Sequence, residues 1–183
     1  MLKKVGARAI VSSDPKEIKN AEKLILPGVG AFDTGMKNLS EAGLIPVLEQ
    51  KVLKEKTPIL GICLGMQLFA EKSEEGSSRG LGWIEGKVKK FQNGLIIPHM
   101  GWNTINSNKN DPLLEDMLRE SRFYFVHSYH FICDNQENEL AKTSYGYDFS
   151  SIIRKDNIIG VQFHPEKSHK YGMKLLDNFV NKC

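Results

Sequence analysis

A chain of 183 residues with 40% apolar content is the size of one domain and can bury a substantial core. Its 25 basic and 22 acidic residues leave a net charge of only +3, spread along the chain. That field is too weak and diffuse for a nucleic-acid partner, and pairs such as Lys89 and Lys90 read as a solvated face. Cys63, Cys133 and Cys183 stand far apart with no CxxC pair, which points to reduced thiols in the cytoplasm rather than a disulfide framework. The start "MLKKVGARAIVSSD" has no apolar leader segment, and no apolar run reaches the roughly 18 residues that span a bilayer, so no membrane role is expected.

Along the chain, "ARAIVSS" (Ala7 to Ser13) reads as a short strand. "SSDPKEIKNAEK" follows as a short helix, with Asp14 as cap and Pro15 at its first position. "KLILPGVG" is a buried strand stopped by Pro27 and a glycine-bearing turn. Between Phe32 and Lys56, Met36, Leu39, Leu44, Val47, Leu48 and Val52 recur at helical spacing, broken by Gly43 and Pro46, which predicts two helical pieces. "TPILGIC" is short and apolar throughout, as a strand covered on both faces of a parallel sheet must be, and "LGMQLFAEKSE" reads as the helix after it. Strand, helix, strand through Ser73 predicts a parallel sheet with crossover helices.

The pattern then changes. From Gly80 to Ile105 and from Phe123 to Ile159, short runs of Val, Ile, Phe and Tyr alternate with turn signals such as "QNG", "DNQEN" and "YGYD". Antiparallel strands are expected there, including an added small sheet. "KYGMKLLDNFVNK" closes the chain as an amphipathic helix with Met173, Leu176 and Val180 on one face. No repeat, low-complexity segment or linker divides residues 1–183, so a single α/β domain is expected.

Within "PILGICLGMQLF", the fragment "GICLG" is G-x-C-x-G, the cysteine form of a nucleophile elbow. In such an elbow a strand enters a helix through a turn so tight that glycines are needed on both sides. The turn presents Cys63 above the sheet edge near a helix N-terminus, where unpaired N–H groups and the helix dipole favour a thiolate. Most free cysteines are small buried hydrophobes, and five residues alone leave the two readings even.

"GVQFHPE", Gly160 to Glu166, supplies the second element. A thiol nucleophile needs a nearby base, and an imidazole base needs a group that holds its tautomer. His164 and Glu166 are separated by one residue at the end of a strand-like run, where alternate side chains point the same way. Pro165 stiffens the turn between them. Without the elbow, the same pair would read as an ordinary surface contact.

The elbow "GICLGMQ", followed about a hundred residues later by "QFHPE", resembles the class I triad glutamine amidotransferases. The resemblance implies that family's fold, a mostly parallel central sheet flanked by helices with added antiparallel strands. It implies a Cys-His-Glu triad of Cys63, His164 and Glu166 that hydrolyses L-glutamine to glutamate and ammonia through a thioester, with no cofactor and no metal. It assigns "LPGVG" to an oxyanion loop, in which N–H groups around Gly28, Val29 and Gly30 join that of Leu64. Gln67 and Glu75 match substrate-binding positions, and His127, Ser128 and Tyr129 lie beside the active site by the same analogy.

"PGVGAFDTGM", "GLGWIEGKV", "IPHMGWN" and "FYFVHSYHF" together resemble the glutaminase subunits of imidazole glycerol phosphate synthase, over nearly the whole chain. That likeness implies a heterodimer with a cyclase subunit, docked through the "HMGWN" segment with Trp102, and ammonia transfer to that partner in histidine biosynthesis. Family members normally begin with a further strand, turn and helix. "MLKKVGARA" matches only the end of that helix, so the usual first strand is expected to be missing. Two other readings stay open: a paralogous glutaminase feeding a sugar amidotransferase in surface polysaccharide synthesis, and a non-catalytic regulatory relative. A glutaminase of pyridoxal phosphate synthesis fits less well, lacking the "HMGWN" segment, and a peptide-cleaving cysteine hydrolase would leave Gln67 unexplained.

Overall fold

A computed structural model describes residues 1–92, 94–107, 109–118 and 120–183. Two short strands open the sheet, β1 (Leu24–Gly28) and β2 (Ile59–Cys63). The chain continues through β3 (Lys72–Ser73), β4 (Gly86–Lys90), β5 (His99–Thr104), β6 (Arg122–His127) and β7 (Tyr129–Cys133). It ends its strands with β8 (Glu139–Tyr145), β9 (Tyr147–Lys155) and β10 (Ile158–Val161). The helices are α1 (Pro15–Lys19), α2 (Phe32–Glu41), α3 (Leu44–Glu49), α4 (Leu64–Gln67) and α5 (His169–Lys182).

The main sheet runs β1-β2-β10-β9-β7-β4-β3, with β8 paired to β9, and β5 and β6 form a separate antiparallel ribbon. β1, β2 and β10 are parallel to one another, while β9, β7, β8 and β4 join antiparallel, so the α/β sheet with added antiparallel strands is present. β1 lies at the edge of this order. Side chains of β2 alternate between two apolar cores, as the two-residue period of a strand requires. Ile59 faces Phe32, Met36, Leu39 and Leu48 from α2 and α3, whereas Leu60 and Ile62 face Phe123, Phe125, Leu175 and Phe179 from β6 and α5. A strand covered on both faces is apolar throughout, which is why "TPILGIC" carries no alternation.

Several sequence expectations are corrected. Ala7–Ser13 forms no strand: the backbone from Ala7 to Asp14 is irregular, with Ile10 71% exposed and Val11 fully exposed. β propensity organises a segment only where a neighbouring strand accepts its hydrogen bonds, and this segment pairs with none. The helix after Cys63 ends at Gln67, not at Glu74. Its next carbonyls are claimed from outside the helix, Leu81 N–H donating to Leu68, Trp83 and Ile84 N–H to Phe69, and Gly82 N–H to Ala70. Gly43 separates α2 from α3 as expected, but Pro46 sits inside α3, in the first turn where a missing N–H costs nothing. On α5 the buried stripe is Gly172, Leu175, Leu176, Asn178 and Phe179, with Met173 and Val180 at its margin. Asp14 caps α1 as predicted, its carboxylate accepting the Lys16 N–H at 2.8 Å.

Candidate active site

Three neighbouring parallel strands end at one place. Register pairs Gly28 of β1 with Cys63 of β2, and Ile62 with Val161 of β10. The loop after β1, the start of α4 and the segment after β10 therefore meet at the carboxyl edge of the sheet, where open α/β sheets hold their ligands. A cavity of about 570 Å³ opens there, lined in part by Val29, Gly30, Cys63, Gln67, Glu75 and His127.

The elbow is tight in a measurable way. Cys63 has φ 54° and ψ −107°, a conformation that costs on the order of 1–3 kcal/mol and persists only when its surroundings impose it. The surroundings are backbone. A Cβ on Gly65 would lie 1.8 Å from the Leu26 carbonyl oxygen, and one on Gly61 would lie 2.6 Å from the Phe69 ring and 2.7 Å from the Gly65 carbonyl. The two glycines let β1, β2 and α4 close around the cysteine. Of the other thiols, Cys133 ends β7, where burial pushes it up to about 12.

His164 Nδ1 donates to Glu166 Oε1 at 2.7 Å, which places the ring's other nitrogen on the Cys63 side. The His164 backbone is pinned as well: its N–H donates to the Tyr124 carbonyl at 2.9 Å, and its carbonyl accepts from Ser168 Oγ at 2.6 Å. His164 Nε2 is buried and makes no aligned hydrogen bond, although Cys63 is the first of the groups that raise this imidazole. The sulfur thus lies beside the ring without being aligned on it. Cys63 and Glu166 together push His164 up to about 9 against the opposing cost of burial. Burial of Glu166 would raise its carboxyl. The hydrogen bond from His164, its own backbone N–H and the charges of His164 and Lys167 outweigh that cost and hold it below the usual range.

The loop after β1 leaves Val29 78% exposed and Gly30 at φ 102° with open space around it. Leu64 opens α4, whose first N–H groups have no intrahelical acceptor, and lines the same cavity. Gln67 Nε2 donates to the Tyr129 carbonyl at 3.0 Å and to Gln162 Oε1 at 3.1 Å, so its own carbonyl oxygen is the end left for a ligand. Glu75 Oε2 accepts the Phe32 N–H at 2.8 Å. Its loop is clamped by Asp33, which accepts the backbone N–H groups of Ser77 at 3.0 Å and Ser78 at 2.9 Å. Those two bonds also hold the Asp33 carboxyl below its ordinary range.

His127, Ser128 and Tyr129 line the cavity as well. Both ring nitrogens of His127 are committed inward, Nδ1 to the Tyr129 carbonyl at 2.8 Å and Nε2 to His99 Nδ1 at 3.0 Å. Trp102 is not in the cavity wall. It lies on the exposed face of the β5–β6 ribbon, 45% exposed, stacked on His169 at 5.3 Å and edge-on to Tyr124 at 5.9 Å. Gln162, Lys167 and Ser168 escaped the sequence reading. "QFHPEKS" contains all three, but only the end of β10 shows that Gln162 turns inward and that Ser168 bridges Tyr124 and His164. Among the described residues no group of three or more His, Cys, Asp or Glu has the placement to hold a metal ion.

The sequence profile of the family "Glutamine amidotransferase class-I" matches residues 2–183. The chain is 54% identical over 185 residues to a Methanococcus maripaludis protein named imidazole glycerol phosphate synthase subunit HisH 2, covering all of this chain and 92% of that one. It is 47% identical to the protein of the same name from Pseudomonas aeruginosa, over 98% of this chain and 90% of that one. Among solved structures, one described as a glutamine amidotransferase gives a TM-score of 0.72 and 19% identity over 98% of this chain and 90% of that one. The glutaminase domain of Trypanosoma brucei CTPS, solved with bound acivicin, gives a TM-score of 0.65 and 15% identity over 98% of this chain and 81% of that one. At these identities the two structures speak for the fold alone.

Proposed function

Because this chain belongs to the class-I glutamine amidotransferase family, we propose that it is the glutaminase subunit of an imidazole glycerol phosphate synthase, acting as one catalytic domain over residues 1–183. The observation that carries the chemistry is the convergence of three strand ends, which brings a strained cysteine beside an imidazole already bonded to a carboxylate at 2.7 Å.

Cys63 Sγ attacks the side-chain amide carbon of glutamine with its proton already on His164, the imidazole that Cys63 and Glu166 raise to about 9. The developing oxyanion is met by N–H groups of the Val29–Gly30 loop and of Leu64. His164 then protonates the departing nitrogen, the C–N bond breaks, and ammonia leaves a thioester on Cys63. A water molecule, deprotonated by His164, attacks the thioester; the Cys63 thiolate departs, glutamate is released and His164 keeps the proton, which restores the starting pair. Glu166 keeps Nδ1 protonated so that Nε2 faces the sulfur. The carbonyl of Gln67 and the free oxygen of Glu75 suit the α-ammonium of the substrate, and Ser128 and Tyr129 complete the pocket.

The partner is a cyclase subunit that seats on the β5–β6 ribbon and covers the cavity mouth. Exposed apolar side chains collect there: Val29 on the cavity wall, and Met100 and Trp102 on the ribbon face next to cavity residues Pro98 and Val126. A covered mouth passes ammonia on without exposure to bulk water, where it would be protonated.

The test is glutamate release from glutamine by the chain mixed with the cyclase subunit of the same organism and its nucleotide ligand, beside Cys63→Ala. Release that requires the partner and vanishes in Cys63→Ala is expected. Release that persists in Cys63→Ala overturns the nucleophile, and a chain that forms no complex with the cyclase overturns the pathway, moving a sugar amidotransferase partner ahead.

A further inference from the structure

Gln162 follows β10 directly, its residue is fully buried, and its side chain fills the space between Cys63 and Gln67. We propose that Gln162 is a further catalytic residue, whose side-chain amide N–H donates to Cys63 Sγ and stabilises the negative charge on that sulfur during attack and during thioester breakdown.

The amide's orientation follows from its neighbours. The Tyr129 carbonyl can only accept, so the Gln67 atom 3.0 Å from it is nitrogen. The same nitrogen lies 3.1 Å from the Gln162 amide, which therefore presents its oxygen to Gln67. What remains facing Cys63 Sγ, at 3.8 Å, is Gln162 Nε2, a long contact for an oxygen acceptor but within reach of the larger sulfur. Reversing the Gln162 amide would set two NH₂ groups against each other and a carbonyl oxygen against the sulfur, losing both bonds in a buried site.

The opposite side of the Tyr129 carbonyl is fixed just as firmly. It accepts from His127 Nδ1 at 2.8 Å, so in a neutral ring His127 Nε2 is an acceptor and His99 Nδ1, 3.0 Å away, carries the proton. His99 Nε2 then accepts from Asn103 Nδ2 at 3.3 Å. Asn103 is oriented independently, since its Nδ2 also donates to the Ser144 carbonyl at 3.0 Å and its Oδ1 accepts the Thr104 N–H at 2.8 Å. The chain has one consistent direction only if both rings are neutral, and burial holds His99 at about 4 and His127 at about 3. Gln67 and Gln162 are thus held from a carbonyl whose position is set by a buried network reaching the β5–β6 ribbon.

Chemically, Gln162 suits this task because it carries no charge. It donates to a thiolate without competing with His164 for the proton. His164 Nε2 has no aligned partner, so among the described residues it is the Gln162 N–H that bonds the sulfur. Through the reaction cycle this donor stays while the proton on His164 moves, so the sulfur keeps one fixed bond as it attacks and as it leaves.

The inference rests on Cys63 being the nucleophile, and its test separates the two. Alkylation of the full chain by iodoacetamide, without glutamine or partner and with Cys63→Ala as blank, reads the sulfur's reactivity whatever the substrate is. Gln162→Leu is expected to slow alkylation of Cys63 at neutral pH about tenfold, the loss of one hydrogen bond to a charged acceptor. In the complex with the cyclase it is expected to lower kcat by a similar factor with KM for glutamine nearly unchanged. Unchanged alkylation in a folded Gln162→Leu chain overturns the proposal, as does a rise in KM with kcat intact, which would assign Gln162 to shaping the pocket through Gln67. If circular dichroism shows that Gln162→Leu does not fold, the isosteric Gln162→Glu decides: an oxygen facing the sulfur should slow alkylation more strongly, and an unchanged rate overturns the proposal. Glutamate release by Cys63→Ala would sink the function above while leaving the alkylation comparison valid.

Discussion

His99 and His127 are buried ring to ring, and desolvation lowers them to about 4 and about 3 from the ordinary 6.5. In the unfolded chain both take up a proton near 6.5, so the stability tied to their neutral rings is complete above that pH and is lost as the pH falls towards 4. Each adds about 1.4 kcal/mol per pH unit to the slope in that window. His99→Gln is therefore expected to lower stability overall yet flatten its acid dependence by about one proton, measured by urea unfolding at several pH values between 6 and 4. An unchanged slope would mean that His99 is protonated in the folded chain. His164 carries the opposite sign. Raised to about 9 by Cys63 and Glu166, its contribution is present below about 6.5 and is lost as the pH climbs through 9.

At the scale of elements, the elbow depends on backbone approaching backbone. Gly65→Ala puts a methyl 1.8 Å from the Leu26 carbonyl, which neither β1 nor α4 can yield without separating. A loss of about 3 kcal/mol is expected, at the upper end of overpacking costs, with Cys63 displaced from its reactive geometry. Gly35→Ala in α2 is the control. Its methyl meets only flexible ends of Leu64 and Leu68 at 3.1–3.2 Å and gains helix propensity, so a change within about 1 kcal/mol is expected. Thermal unfolding of the two variants side by side checks this, and equal losses would contradict the close approach of β1 to α4.

Over the whole molecule, Cys63, His164 and Val29 line one cavity at the carboxyl edge of the sheet, and the exposed Met100 and Trp102 lie on the β5–β6 ribbon, Met100 paired with the cavity residue Val126. Met100, 61% exposed, is a side chain whose replacement disturbs no core. Met100→Asp is expected to weaken the complex with the cyclase about tenfold or more, because a charge would be desolvated at the centre of the contact. Titration calorimetry reads the change, and an unaltered Kd would place the partner elsewhere.

The residue types of the site were legible in the sequence because thiol chemistry needs them at short spacing: two glycines around Cys63, and one residue between His164 and Glu166. The parallel core was legible for a similar reason, since strands covered on both faces must be apolar from end to end. No sequence pattern could show that Ala7–Ser13 lacks a partner strand, because its β-branched residues are as strand-like as those that pair. Nor could it show that the helix after Cys63 stops at Gln67, because the N–H groups that claim its next carbonyls come from Leu81 to Ile84, beyond the helix in sequence. Gln162 was invisible for the same reason, its partners Cys63 and Gln67 lying far back along the chain. Local chemistry is written in local spacing, whereas which groups meet across the chain is decided only when the strands take their register.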